Sequence, residues 1–339
     1  MPRARPRSPR VWIAAAITVL SVAVAVAWWR PSGFDPTPAS TPTAASGSAP
    51  SPAEVTEIQP DASGLALPKS IGSLRFAVMG DVGRGDRAQY DTANEMARWR
   101  DRFEFQFVLM LGDNNYGPGS PEEYAARFER PYKALLDAGV TFYAVLGNHD
   151  PPDQQHYAPY NMHGDRYYTF TRAEGALKTR QVQFFAIDTV TLDRAQLSWL
   201  DREMAASRAD WKIAFFHHPL YTSGRYGVTA LRMRHALEPI FVRNGLDVAL
   251  AGHEHFYERL TLQRGIQYFI SGAAGALRVG DIRDSSITAA GFDADTHFIL
   301  MEIADDLLYF QAISRTGRTV DAGRLQRAEH PAPPPALRR

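Results

Sequence analysis

Arg75-Phe76-Ala77-Val78-Met79-Gly80-Asp81-Val82-Gly83 is the stretch that decides the fold. An apolar run of strand length ends on Gly-Asp, so a potential metal-ligating carboxylate stands directly behind a buried strand. The pattern returns downstream. The run 107–111 leads into Gly112-Asp113-Asn114-Asn115-Tyr116, and 141–146 into Gly147-Asn148-His149-Asp150. The run 211–216 is followed by His217-His218-Pro219, and 248–251 by Gly252-His253-Glu254-His255.

Helix signals separate the runs. Asp86 suits the cap of a helix reaching about Phe103. Ser120 and Glu123 form a capping box with Pro121 at the first helical position. Asp193 precedes Leu197, Leu200 and Met204 at helical spacing, and 231–242 reads as a further helix. The first half is therefore β-α-β-α-β, which predicts a parallel core with right-handed crossovers. The later, closely spaced runs at 267–270, 297–303 and 308–312 predict a second, mixed sheet. Side chains spread over about 175 positions can then converge where several strands end.

Composition narrows the chemistry. The chain has 339 residues, 45% apolar and 22% charged, with zero formal net charge. No global basic field argues for a nucleic-acid partner. The absence of cysteine excludes disulfides, zinc–thiolate sites, iron–sulfur clusters and thiol nucleophiles. Any metal must be held by oxygen and imidazole nitrogen.

Residues 1–30 read as a separate segment. Arg3, Arg5, Arg7 and Arg10 precede an uncharged apolar run over 11–29. As a helix that run is roughly 28 Å long, close to the ~30 Å hydrocarbon core. It is expected to be a membrane anchor with a cytoplasmic N-terminus, or a signal peptide cleaved near Ala25-Val26-Ala27. The body is then exported: anchored with an extracytoplasmic domain, or secreted or periplasmic. Residues 31–70, rich in Pro, Ser, Thr and Ala, predict a disordered linker. Residues 71–325 form the folded domain and 326–339 a loose tail.

Asp81, Asp113, Tyr116, Asn148, His217, His253 and His255 are the candidate metal ligands. All are oxygen or nitrogen donors, the set that suits iron, zinc and manganese over softer metals. Singly, a Gly-Asp is a turn and Asn-His-Asp a helix cap. Together the motifs hold five of the ten histidines behind successive apolar runs. Two metals need a carboxylate between them, and Asp113 in the middle motif is the natural bridge. Such a pair, about 3.5–4 Å apart, activates water and holds the attacking and leaving oxygens of an in-line displacement. That suits phosphoryl transfer, which depends on positioning and charge neutralisation.

These motifs resemble the calcineurin-like metallophosphoesterases, and Tyr116 narrows the resemblance to purple acid phosphatases. The segment Ile187-Asp188-Thr189-Val190-Thr191-Leu192, followed by Gln196-Leu197-Ser198-Trp199-Leu200, is similar to the small, mammalian-type branch. The resemblance spans roughly residues 74–275. It implies an α/β fold, a four-layer α/β/β/α sandwich of two mixed sheets with the site at their edge. It also implies that Asp81, Tyr116 and His255 hold Fe(III), with Asp113 bridging. Asn148, His217 and His253 would complete a divalent site for Fe, Zn or Mn. His149 would lie just outside, on the phosphate or the leaving oxygen.

Two departures stand out. Ala214 replaces a valine usual in the family. Ser223-Gly224-Arg225-Tyr226 occupies the stretch where relatives carry a further histidine, so the proton donor stays open. His149 and His218 are the candidate catalytic groups, and Asn114, Arg225 and Tyr226 the candidate substrate contacts. Glu258 and Arg259 are expected to orient the last motif through a salt bridge. The expected activity is acid phosphatase-like hydrolysis of a small phosphate monoester by metal-activated hydroxide. A phosphodiesterase or nucleotidase on the same metals is the alternative, followed by a membrane-tethered protein without catalysis.

Overall fold

Strands with two apolar faces need cover on both sides, and this chain has many of them. The computed structural model describes residues 53–174 and 180–328. It begins with β1 (Glu54–Glu57), β2 (Leu74–Met79), α1 (Arg87–Phe103), β3 (Phe107–Met110), α2 (Pro121–Tyr124), α3 (Lys133–Asp137) and β4 (Thr141–Ala144). Next come β5 (Tyr168–Glu174), β6 (Arg180–Ile187), α4 (Arg194–Ala206), β7 (Trp211–Phe216), α5 (Gly227–Arg243), β8 (Val248–Ala251), β9 (Tyr257–Leu260) and β10 (Gln267–Ser271). β11 (Thr288–Phe292), β12 (His297–Ala304), β13 (Leu307–Ser314) and β14 (Thr319–Gln326) close the sequence.

The strands form two seven-stranded mixed sheets, ordered β1-β14-β13-β12-β2-β3-β4 and β11-β9-β10-β8-β7-β6-β5. β2, β3 and β4 pair in parallel, as the β-α-β-α-β pattern requires. β6, β7, β8 and β10 form the parallel centre of the second sheet.

Side-chain alternation shows how the layers meet. On β7, Ile213 and Phe215 join the core shared with the first sheet. Ala214 and Phe216 face the other way, in a cluster with Leu200 and Met204 of α4 and Leu237 and Phe241 of α5. Between the sheets, Phe76 meets Phe184 edge-on at 5.5 Å, and Phe269 meets Phe310 at 5.0 Å. α1 buries Met96, Trp99 and Phe103 in the core that includes the first sheet.

The expected caps are present. Asp86 accepts a hydrogen bond from the Gln89 amide, Ser120 from Glu123 and Asp193 from Gln196. Each is worth about 1 kcal/mol to its helix.

Several expectations need correction. The strands expected at 297–303 and 308–312 do not join the second sheet. β12 lies antiparallel on β2 and extends the first sheet through β13 and β14. Apolar periodicity fixes which faces of a strand are buried and not which sheet edge it joins. The linker expected over 31–70 is ordered in its second half. β1 pairs with β14, Leu65 and Leu67 are buried, and the Lys69 and Ser70 amides donate to Glu302. The strand β14 reaches Gln326, inside the expected tail. Of Glu258 and Arg259, the arginine forms the ion pair, and its partner lies on the other sheet. Arg259 forks onto Asp321 of β14, tying the two sheets, while Glu258 accepts from the Ser223 amide. The apolar run 11–29 lies outside the described residues. Among those described, no helix is long and apolar enough to cross a membrane.

Candidate active site

The ligand-type residues stand behind parallel strands of both sheets: Asp81 after β2, Asp113 after β3, Asn148 after β4, His217 after β7, and His253 and His255 after β8. Strand carbonyl ends leave room there for loops to meet. The backbone is bent sharply to bring them in. Asp81, Asp113 and His253 have φ of 55°, 51° and 70°. Left-handed non-glycine residues cost about 1–3 kcal/mol each and collect at functional sites. At Gly147 a Cβ would lie 2.1 Å from the Asp113 amide nitrogen, so only glycine lets the second and third motifs approach.

Two donor clusters result. The Asp81, Asp113 and His255 donor atoms lie within 4.8 Å of one another, as do those of His217, His218 and His253. The Tyr116 hydroxyl joins the first cluster, 3.4 Å from Asp81 Oδ1 and 3.3 Å from His255 Nε2. Asp113 Oδ1 reaches toward the second, 3.4 Å from His217 Nε2.

Electrostatics suits cations. Burial pushes the Asp81 carboxyl well above its usual range, and the Asp113 charge pushes it further. Burial also keeps the imidazoles neutral: His217 titrates far below its usual value, His253 is pushed down to about 2 and His255 to about 4. His217 Nδ1 sits 2.9 Å from the Leu111 carbonyl and therefore carries the proton. Its Nε2 lone pair then faces Asn148 Oδ1 at 3.0 Å and Asp113 Oδ1 at 3.4 Å, with His253 Nδ1 3.2 Å away. Acceptors turned on acceptors are stable when a cation sits among them, so the donor set fits metal.

Asp150 lies behind this set. It accepts from the Asn115 and Gly147 amides, each at 2.8 Å, and from Gln154. Burial, then the Asp113 charge, lifts it to about 7. It locks the second and third motifs together, a role the sequence alone does not reveal.

The other candidates divide. The His149 amide donates to Asp113 Oδ1 at 2.9 Å, and its exposed ring lies 4.9 Å from the Tyr116 ring. His218 is 4.4 Å from the His253 ring and 3.1 Å from Thr189 Oγ1. Tyr226 lies 4.2 Å from the His253 ring, beside the site. Asn114 is corrected. It is fully buried, and its amide donates to Val145, Asp150 and Gln154, so it braces the floor of the site. Arg225 turns to Asp281, with contacts of 2.5 and 3.1 Å. A cleft of about 460 Å³ is lined by Tyr116, His149 and His255 together with Arg84 and Arg278. Neither arginine was singled out by the sequence, although Arg84 directly follows the first motif.

The sequence profile of the calcineurin-like phosphoesterases matches residues 74–257. The chain belongs to that family. It is a metal-dependent phosphoester hydrolase, homologous to the purple acid phosphatases. Human tartrate-resistant acid phosphatase type 5 is 28% identical over 237 residues, covering 59% of this chain and 73% of that protein. Purple acid phosphatase 17 of Arabidopsis thaliana is 28% identical over 250 residues, covering 65% and 73%. In fold the phosphoesterase is similar to a purple acid phosphatase from yellow lupin seeds, with TM-score 0.59 and 17% identity over 76% of this chain and 55% of that one. It is also similar to a Plasmodium protein described as the anchor in the inner membrane complex, with TM-score 0.64 and 18% identity over 77% and 90%.

Proposed function

We propose that this phosphoesterase is an exported acid phosphatase that hydrolyses small phosphate monoesters on an iron-containing metal pair. The observation that carries the reading is the Tyr116 hydroxyl between Asp81 and His255, at 3.4 and 3.3 Å. Burial and the carboxylates beside it raise the phenol well above its usual range, so it ionises only against a strongly acidic metal. Asp81, Tyr116 and His255 would hold Fe(III). Asn148, His217 and His253 would hold Fe, Zn or Mn, with Asp113 between. When bound, the pair supplies Lewis acidity that activates water and neutralises phosphate charge.

The protein's own groups do the rest. Asp113 fixes the His149 amide, which sets the exposed His149 ring at the cleft where it meets phosphate or the leaving oxygen. His218, held by Thr189, is the second candidate to donate a proton. The relatives named acid phosphatases support a monoester substrate.

The test is metal analysis of purified protein, with a visible spectrum and rates on nitrophenyl phosphate and bis(nitrophenyl) phosphate. The expected result is two metals per chain, at least one of them iron, and a phenolate-to-iron band that Tyr116→Phe removes without unfolding the protein. A colourless, iron-free and fully active enzyme overturns the iron assignment; faster diester hydrolysis overturns the monoester one.

Export rests on Arg3, Arg5, Arg7 and Arg10 ahead of the apolar run 11–29. Protease added to spheroplasts should digest the phosphatase body. A body protected until lysis would place it in the cytoplasm, and recovery in membranes or in soluble form separates anchor from cleaved signal.

A further inference from the structure

We propose that Arg84 and Arg278 form an anion subsite beside the metal centre, one that binds a second negatively charged group on the phosphate substrate. The proposal rests on the phosphoester-hydrolase reading and narrows its substrate class.

Two observations place the pair. Both arginines line the cleft that also holds Tyr116, His149 and His255. They reach it from different loops: Arg84 follows the first motif, while Arg278 comes from the segment after β10.

Neither is a loose surface side chain. The 274–278 segment is laced to the metal loops by amides donating to carbonyls, Ala274 to Gly80, Ala276 to Asp81 and Arg278 to His255, at 3.0–3.1 Å. A Cβ on Gly275 would lie 2.2 Å from the Val82 carbonyl, so this approach requires glycine. The backbone of Gly83 and Arg84 is held in turn by Arg127. The guanidinium of Arg84 lies 5.8 Å from the Tyr116 ring centre, and that of Arg278 5.5 Å from Tyr226.

The charges are not spent. Arg84 is half-exposed and reaches Asp86 only at 3.6 Å. Arg278 forms no ion pair among the described residues, and its Nη1 is buried without a hydrogen-bond partner. A buried guanidinium nitrogen with no acceptor is unfavourable unless a ligand supplies one. The forked guanidinium matches phosphate or carboxylate oxygens. The metal ligands and His149 account for the reacting phosphate, which leaves the arginines for a further anion: the inner phosphate of a diphosphate, or an acidic group on the leaving side.

The experiment compares metal-loaded enzyme with Arg278→Gln, Arg84→Gln and Arg278→Lys on two probes, adenosine diphosphate and nitrophenyl phosphate. Metal content and circular dichroism check that each variant is folded. Each Gln substitution should lower kcat/KM for the diphosphate by about 10–100-fold, mostly through KM, with a loss several-fold smaller on nitrophenyl phosphate. Arg278→Lys should recover part of the diphosphate rate. Equal losses on both probes would assign the arginines to the reacting phosphate and overturn the subsite; no loss on either would do the same. If the unaltered enzyme is inactive on both probes, the hydrolase reading fails. Calorimetric binding of inorganic pyrophosphate to the unaltered protein and to Arg278→Gln then decides the subsite on its own.

Discussion

Asp113→Asn should strip bound metal and lower turnover by about 10³-fold or more, beyond the 10–100-fold usual for losing an outer partner. Asp113 is the carboxylate shared by the two donor clusters. It stands within 4.8 Å of the Asp81 and His255 ligand atoms, and its Oδ1 is 3.4 Å from His217 Nε2. An amide in its place keeps the shape and loses the charge that offsets repulsion between two cations. Asp113 is 1% exposed, so water cannot screen that repulsion. His149→Ala is the control. Its side chain lies outside the donor clusters, so turnover should fall by about 10²–10⁴-fold, the range for a lost acid–base group, while metal stays bound. Metal analysis beside rates on nitrophenyl phosphate decides it. Equal metal loss in the two variants would contradict the roles given to Asp113 and His149.

Chelation should lower the melting temperature at pH 7 by about 8–16 °C. Metal at a thousandfold excess over its dissociation constant stabilises by about 4 kcal/mol. A domain of this size shifts by roughly 2–4 °C per kcal/mol. The pH dependence follows from the site's own groups. His253 and His255, at about 2 and about 4 in the fold, titrate below the unfolded value of about 6.5. Their contribution is complete above that value. It is lost as pH falls toward the folded values, because the unfolded chain takes up protons first. The raised carboxyls act oppositely. Asp81, well above its usual range, and Asp150, at about 7, disfavour the metal-free fold as pH rises from about 4 to 7. Through that window the two effects partly cancel. Below about pH 4 the carboxyls no longer oppose, and His217 and His253, whose folded values lie lower still, continue to cost the metal-free protein stability as pH falls. Protons also compete with metal for the same donors, so the gap opened by chelation should shrink from pH 7 toward pH 4. Melting curves with and without chelator across this range test it. An unchanged melting temperature after proven metal removal would mean that metal binding does not stabilise the fold, against this prediction.

By itself the sequence determined the donor inventory and the elements that carry it. An apolar run ending on Gly-Asp or Gly-His is a local signal, and so is an Asp or Ser cap ahead of a helical stripe. Both depend on residues within a few positions, which is why β7, β8 and the caps at Asp86, Ser120 and Asp193 match expectation. β14, with Asp321 and Gly323 in its run, and β1, within a Pro-rich stretch, carry no clear alternation. They are strands because a neighbouring edge pairs with them. Only the tertiary structure decided that β12 closes on β2, because periodicity fixes a strand's faces and not its partner. It alone turned Asn114 into the floor and Arg225 onto Asp281, since side-chain direction depends on what the rest of the chain leaves open. The same holds for the left-handed backbone at Asp81, Asp113 and His253, which no local preference favours and surrounding contacts enforce. Arg84 and Arg278, far apart in the chain, share one cleft because the Gly275 segment is laid against the first metal loop.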